Sequence, residues 1–291
     1  MAARSSLTFA ALGTTWWIDI FDEIDDETRS AVLGRATCLV EAFERSYSRF
    51  KSDSLISILN RERRLHSPSR ECRALLEYGQ ALYMRTDGIF NILVGHILEA
   101  RGYDANYSFK AQAEIPKSTC DPNSDLKITE TEILLACGNI DLGGYGKGYL
   151  IDLVAEELKA SGVHYFLING GGDIYGTSDH ETPITVYLEH PTEPKKYLIE
   201  ATIQNQGFAA SSPFKRQWND KERTFTHIVS ESAVHLVASF VKAATAGEAD
   251  AFATAALLLD ETKLIALAEW EKFQVARFDP ATSRLWRTKD F

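Results

Sequence analysis

Two glycine-rich stretches constrain this chain more than any other feature: Asp141-Leu142-Gly143-Gly144-Tyr145-Gly146-Lys147-Gly148-Tyr149 and, one helix later, Leu167-Ile168-Asn169-Gly170-Gly171-Gly172-Asp173-Ile174. A backbone without Cβ can approach a phosphate closely, which is why such clusters recur in nucleotide-binding loops. One cluster carries a lysine and the other an aspartate, so together they can line one phosphate-bearing ligand. Neither common nucleotide motif fits. A P-loop requires a glycine five residues before its Gly-Lys pair and a Ser or Thr after it; those positions hold Asp141 and Gly148. A dinucleotide fingerprint must open a helix, whereas Gly170, Gly172 and Gly176 lead toward Ile184–Glu189, which alternates like a strand.

Any phosphate must be met locally, because 31 Lys plus Arg against 41 Asp plus Glu leave a net charge of −10. That balance argues against a nonspecific nucleic-acid surface. The 291 residues are 45% hydrophobic, ample for a packed core, and a single large domain is within range. Cys38, Cys72, Cys120 and Cys137 show no C-x-x-C spacing and lie in or beside apolar patterns, which predicts buried free thiols rather than metal ligands or disulfides. Met1 to Leu12 lacks a long apolar run and a lipidation cysteine, and no segment reaches the roughly 18 apolar residues of a membrane span. The expectation is a cytoplasmic protein.

Periodicity predicts a strand over Thr15–Phe21 and helices over Asp26–Ser46 and Ser69–Thr86. Residues 104–125 are polar, hold Pro116 and Pro122, and read as a loop or insertion in a single domain spanning 1–291. Leu150, Ile151, Leu153, Val154 and Leu158 form one helical face that ends at Gly162. Strands are expected at His164–Ile168, Ile184–Glu189, Tyr197–Ile203, Phe225–Val229, Val234–Phe240 and Phe273–Phe278, with helices at Asp250–Asp260 and Thr262–Trp270. Helices and hairpin-like strand runs are segregated rather than strictly alternating, which favours an α+β fold over a doubly wound sheet.

Several residues carry candidate chemistry. Asp250 and Thr254 are four apart in an alanine-rich helix, so their oxygens share a face and suit a hard cation such as magnesium. The alternative is a helix-capping aspartate and a threonine bonded to its own helix. Lys147, held among glycines, can bring a point charge to a phosphate; otherwise it is a solvated lysine. His227 lies between apolar residues on a predicted strand, where a neutral imidazole can act as a base or simply bond to backbone. Asp173 follows a glycine turn and also reads as an ordinary turn residue. Asn60 could equally be a carboxy-terminal helix cap, and Leu12 and Phe50 could equally be core.

In order along the chain, Leu12-Gly13-Thr14-Thr15-Trp16, Ser48-Arg49-Phe50, Ser54 through Asn60, Gly88-Ile89-Phe90-Asn91 with Val94-Gly95, the two glycine clusters, Ala210-Ser211-Ser212, Thr226-His227-Ile228 and Ala249 through Ala255 resemble the FAD:protein FMN transferases, the ApbE-type flavin transferases. The resemblance implies a T-fold-related, two-layer arrangement of mainly antiparallel sheet and helices. It implies magnesium-dependent transfer of FMN from FAD to a Ser or Thr hydroxyl of an acceptor protein, such as a subunit of a redox complex, with release of AMP. It assigns magnesium to Asp250, Thr254 and the Gly146 carbonyl, and FAD to Leu12, Phe50, Asn60, Gly144, Lys147, Asp152, Gly171, Gly172 and Asp173. Lys147 and His227 become the catalytic pair, His227 as base for the acceptor hydroxyl. Two departures bear on activity: Asn91 stands where the family usually has aspartate followed by proline, and Val229-Ser230-Glu231-Ser232 replaces its usual turn after the histidine. The rival readings are hydrolysis of FAD to FMN and AMP, and a flavin-binding protein without turnover.

Overall fold

The computed structural model describes residues 5–116, 120–178, 182–214, 216–221, 223–229 and 237–291. Its largest element is an eight-stranded sheet in the order Ser5–Ala11, Thr14–Ile20, Phe166–Gly170, Asp173–Thr177, Gln206–Ser211, Ala238–Ala243, Gln274–Asp279 and Arg284–Arg287. Every pairing between these strands is antiparallel. Helices and antiparallel strands are segregated as the α+β expectation requires.

Alternation along the strands assigns the two sheet faces. Trp16, Ile18 and Ile20 join a core with Val32, Ala36, Val40 and Phe43 of helix Asp26–Tyr47 and with Leu150, Ile151, Val154 and Leu158 of helix Gly146–Ala160. In the second half of the sheet, Ala209, Val241 and Val275 pack with Ala249, Phe252 and Ala253 of helix Ala246–Ala255. Their sequence neighbours Phe208, Phe240 and Ala276 pack instead with Val186, Leu188, Ala201 and Ile203 of the hairpin Ile184–Glu189/Tyr197–Ile203. Because successive side chains point to opposite faces, a strand covered on both sides loses its alternating pattern. All six residues of Ala238–Ala243 are buried.

Several helices begin where their sequence predicts. Asp25 accepts the Thr28 N–H at 2.8 Å ahead of Asp26–Tyr47, and Ser69 caps Arg70–Arg85 through Cys72 N–H. The helix expected at Asp250–Asp260 starts earlier, at Ala246, with Thr245 as its cap, so Asp250 is an interior residue and not a capping one. Strands at Asp173–Thr177 and Gln206–Ser211 have no apolar alternation strong enough to announce them; each holds a glycine where a neighbour presses close, Gly176 against Ile184 and Ile203 of the hairpin and Gly207 against Thr245 and Ala246 at a helix start. Part of the expected strand Val234–Phe240 lies outside the described residues. Residues 104–116 hold only turns and bends, and Pro122–Asp125 is a short helix capped by Asp121.

The structure corrects the cysteine expectation. Cys120 and Cys137 form a disulfide with Cα atoms 5.6 Å apart, Cys38 is exposed, and Cys72 is the buried free thiol that the pattern predicted. The two partners are 17 residues apart with a short helix and two strands between them, so no local spacing marks the pair. No helix among the described residues is long and apolar enough to cross a membrane.

Candidate functional site

A cavity of about 1180 Å³ opens where the two glycine clusters meet the sheet. Its backbone walls depend on close approach. Gly171, at φ 75°, turns the chain between Phe166–Gly170 and Asp173–Thr177, and a Cβ there would stand 2.2 Å from Thr14 Oγ1. The hairpin turn it touches contains Leu12 at φ 49°, a left-handed conformation that leucine rarely adopts. Leu12 lines the cavity. Gly148 lies in the first turn of helix Gly146–Ala160, and a Cβ on it would meet Ala246 O at 2.2 Å. Two helix N-termini therefore touch. Asp152, one turn further on, accepts the N–H groups of Ala246 and Gly247, both at 2.8 Å, and satisfies two donors that a helix start leaves without partners.

This contact brings buried charges together. Lys147 Nζ is in ion-pair contact with Asp173 and lies 3.3 Å from Asp250 Oδ2, which also faces the Gly148 N–H at 3.3 Å. The carboxylate side chains are 5% and 8% exposed and the lysine 20%, so the three charges answer one another rather than water. Asp173 Oδ2 nonetheless has no hydrogen bond of acceptable geometry. Burial and the charge of Asp173 push the Asp250 carboxyl above the ordinary carboxylate range. Burial works against the Lys147 ammonium, but Asp173 and Asp250 outweigh it and hold the lysine protonated. Burial also raises Asp152, to about 6.

The opposite wall is aromatic. Phe50 stacks on Tyr107 with centroids 5.0 Å apart, and Tyr103 stacks on Trp218 at 5.7 Å. Arg49 lies over Phe50, donates to Tyr103 O at 3.0 Å, and pairs with Asp141. Arg216 Nη1 donates to the Tyr103 hydroxyl at 3.2 Å. His227 follows the strand Arg223–Thr226; its Nδ1 is 3.4 Å from Arg216 O. Burial, then the Arg216 charge, lowers the imidazole to about 4, which leaves it neutral at physiological pH.

Leu12, Phe50, Gly144, Gly146, Lys147, Gly171, Gly172, Asp173, His227, Asp250 and Thr254 all line this cavity. Asn60 and Asp152 are not among the lining residues. Asn60 lies inside helix Leu55–Glu62, and its amide clamps the Ile140 backbone, donating to the carbonyl at 3.0 Å and accepting the N–H at 2.7 Å. It fixes the entry of the glycine loop as Asp152 fixes the helix of Asp250. Asn91 lines the cavity, with its amide spanning Cys120 O and Leu93 N. The altered segment 230–232 lies outside the described residues.

Sequence reasoning missed Asp141, Tyr103, Tyr107, Trp218 and Arg216 as lining residues. Asp141 opens the glycine loop and could have been found there. The aromatic residues sit in the polar insertion and in a short hairpin, where nothing local points to a site.

The donor set fits a divalent cation. Among the described residues the lining holds five carboxylates, Glu44, Asp141, Asp173, Glu189 and Asp250, against three cations, Arg49, Lys147 and Arg216. An anionic ligand entering so negative a cavity needs extra positive charge, and hard oxygens such as Asp250 and Thr254 suit magnesium. Gly144 leaves room beside Thr254: a Cβ on it would stand 3.4 Å from the threonine oxygen.

Known proteins share both the sequence pattern and the architecture. The chain is 26% identical to the FAD:protein FMN transferase of Haemophilus influenzae, covering 91% of this chain and 83% of that protein. It is 23% identical to the FAD:protein FMN transferase of Escherichia coli K12, over 87% of this chain and 77% of the relative. The crystal structure of the ApbE protein of Thermotoga maritima superposes with a TM-score of 0.81, at 18% identity over 98% of this chain and 97% of its own. The flavin transferase ApbE of Vibrio cholerae superposes with a TM-score of 0.77, at 18% identity over 100% and 99%. The sequence model described as the ApbE family matches residues 12–278, and the chain belongs to that family.

Proposed function

We propose that this chain is an enzyme that transfers FMN from FAD to a Ser or Thr hydroxyl of an acceptor protein, with magnesium and with release of AMP. The observation that carries the reading is the convergence on one cavity of two glycine loops, a paired lysine, an interior helical Asp250/Thr254 pair and a neutral histidine. The relatives' names supply the substrate; the geometry supplies groups able to use it.

In this reading the glycine loops admit the diphosphate to the backbone, and the aromatic wall with Leu12 holds the flavin. Asp250, Thr254 and the Gly146 carbonyl would hold magnesium, which when bound supplies charge neutralisation on the diphosphate. His227 Nε2 or Nδ1 accepts the proton of the acceptor hydroxyl. The hydroxyl oxygen bonds to the FMN phosphorus as the phosphorus–oxygen bond toward AMP breaks, and AMP leaves with the electron pair. Asn60 and Asp152 act by holding the glycine loop and the metal-bearing helix, and 1–291 works as one domain with an insertion at 104–125.

Incubation with FAD, magnesium and a candidate redox-complex subunit, followed by mass spectrometry, tests this. FMN covalently attached to Ser or Thr with one AMP per modification supports transfer; free FMN and AMP without modification would make the protein a hydrolase. A cytoplasmic location belongs to the same proposal, and the Cys120–Cys137 disulfide weighs against it, since such bonds persist mainly in oxidising compartments. Alkylation of thiols in freshly lysed host cells distinguishes the two.

A further inference from the structure

Of the three cations that line the cavity among the described residues, two are already committed. Arg49 is paired with Asp141, and both its side chain and that carboxylate are nearly buried, at 4% and 11% exposure. Lys147 stands between Asp173 and Asp250. If Lys147 turned to an incoming phosphate, two buried carboxylates would lose their counter-charge, and leaving a buried charge unpaired is costly. Arg216 differs. Among the described residues it has no carboxylate partner; its Nη1 meets only the neutral Tyr103 hydroxyl.

That hydroxyl is well anchored. The Tyr103 ring lies between Trp218 on one side and the edges of Phe50 and Tyr107, so it holds the guanidinium at the cavity rather than letting it sweep through solvent. Arg216 is also near enough to Lys147 and His227 for its charge to act on both. A guanidinium keeps further donors after one is used, in a planar fork that matches phosphate oxygens. Among the described residues the lining has more carboxylates than cations, and its one cation without a carboxylate partner lies on the side of the acceptor base.

We propose that Arg216 is the protein's direct contact with the phosphate oxygens of a bound diphosphate, with Lys147 serving instead as the fixed counter-ion of Asp173 and Asp250. This rests on the flavin-transferase reading for the identity of the ligand but not for the presence of an anion site. By holding the phosphate on the His227 side, Arg216 would orient the phosphorus toward the hydroxyl that His227 deprotonates.

The test is calorimetric titration of wild type, Arg216→Gln and Arg216→Lys with FAD, with riboflavin, and with ADP, which carries a diphosphate without a flavin. Loss of a charge-assisted hydrogen bond predicts FAD and ADP weakened about 10- to 100-fold in Arg216→Gln, riboflavin changed less than about twofold, and Arg216→Lys between the two. The FAD difference should shrink as salt rises. Equal FAD affinity in wild type and Arg216→Gln, with intact thermal stability, overturns the assignment while leaving the flavin reading standing. Equal weakening of riboflavin also overturns it, because it places Arg216 at the ring. Conversely, ADP binding that depends on Arg216 in a protein that ignores both flavins would sustain the anion site and remove the flavin. Wild type that binds none of the three ligands overturns both.

Discussion

The two walls of the cavity handle charge in opposite ways. On the glycine side, Lys147 is the shared counter-ion of two buried carboxylates, Asp173 and Asp250, where two helix N-termini meet and Asp152 clamps them. On the aromatic side Arg49 is paired with Asp141, whereas Arg216 has no carboxylate partner among the described residues and His227 is kept uncharged by burial and by that arginine. The glycine side has its cation paired before a ligand arrives. The aromatic side is completed by one. A substitution on the first wall should therefore appear in stability and in metal response, and on the second in ligand affinity and rate.

The largest effect is expected from Asp250→Ala, which should reduce magnesium-dependent flavin transfer to background while the helix persists, since alanine is the better helix former. Circular dichroism alongside a transfer assay checks both halves; retained turnover would remove Asp250 from the metal. Next, His227→Asn should leave FAD affinity nearly unchanged and lower transfer by roughly 10²–10⁴-fold, the range for loss of a general base. The wild-type pH profile sharpens this. A lowered imidazole stays neutral until the pH falls to about 4, so the acid limb due to His227 should lie near there and not near the ordinary histidine value of about 6.5. Arg216→Gln removes a positive neighbour and should move that limb upward.

Stability separates the walls most directly. Lys147→Ala leaves Asp173 and Asp250 buried without a counter-ion and should cost about 3–5 kcal/mol in denaturant unfolding, part of which added magnesium should restore. Arg216 is exposed and has no carboxylate partner among the described residues, so Arg216→Gln should stay within about 0.5 kcal/mol of wild type. Equal costs would mean that the walls do not differ as described. An effect between these two is expected from Asp152→Ala, where two N–H groups at the start of the Asp250 helix lose their acceptor, about 1–3 kcal/mol. It should also weaken magnesium binding, measured by calorimetry without FAD, while leaving riboflavin binding alone.

Much of the glycine wall was legible from residues alone. Gly144, Gly146, Lys147, Gly171, Gly172 and Asp173 announce themselves because a backbone that must approach another surface tolerates few side chains, and Asp250 and Thr254 share a face by helical period alone. The family resemblance, not local reasoning, gave Asn60 and Asp152 to the ligand, and in the structure their polar atoms bond to backbone. Sequence marks a polar residue that matters without saying what it touches. The aromatic wall was less legible: Phe50 and His227 were named, but Tyr107 lies in a stretch that reads as polar loop, Tyr103 just precedes it, and Arg216 has no period or motif around it.

What the sequence by itself determined is therefore what short-range physics enforces: the α+β class, the starts of helices Asp26–Tyr47 and Arg70–Arg85 to within a residue, the strands Ile184–Glu189 and Tyr197–Ile203 to the residue, and the glycine loops. Only the tertiary structure decided which charges share a cavity and which are left over. Lys147 meets Asp250 from 103 positions away, and Arg216 meets Tyr103 from 113. It likewise joined Cys120 to Cys137, against the expectation of free thiols. Pairing depends on distances set by packing of the whole chain, and no local pattern encodes whether a charge will find its partner or wait for a ligand.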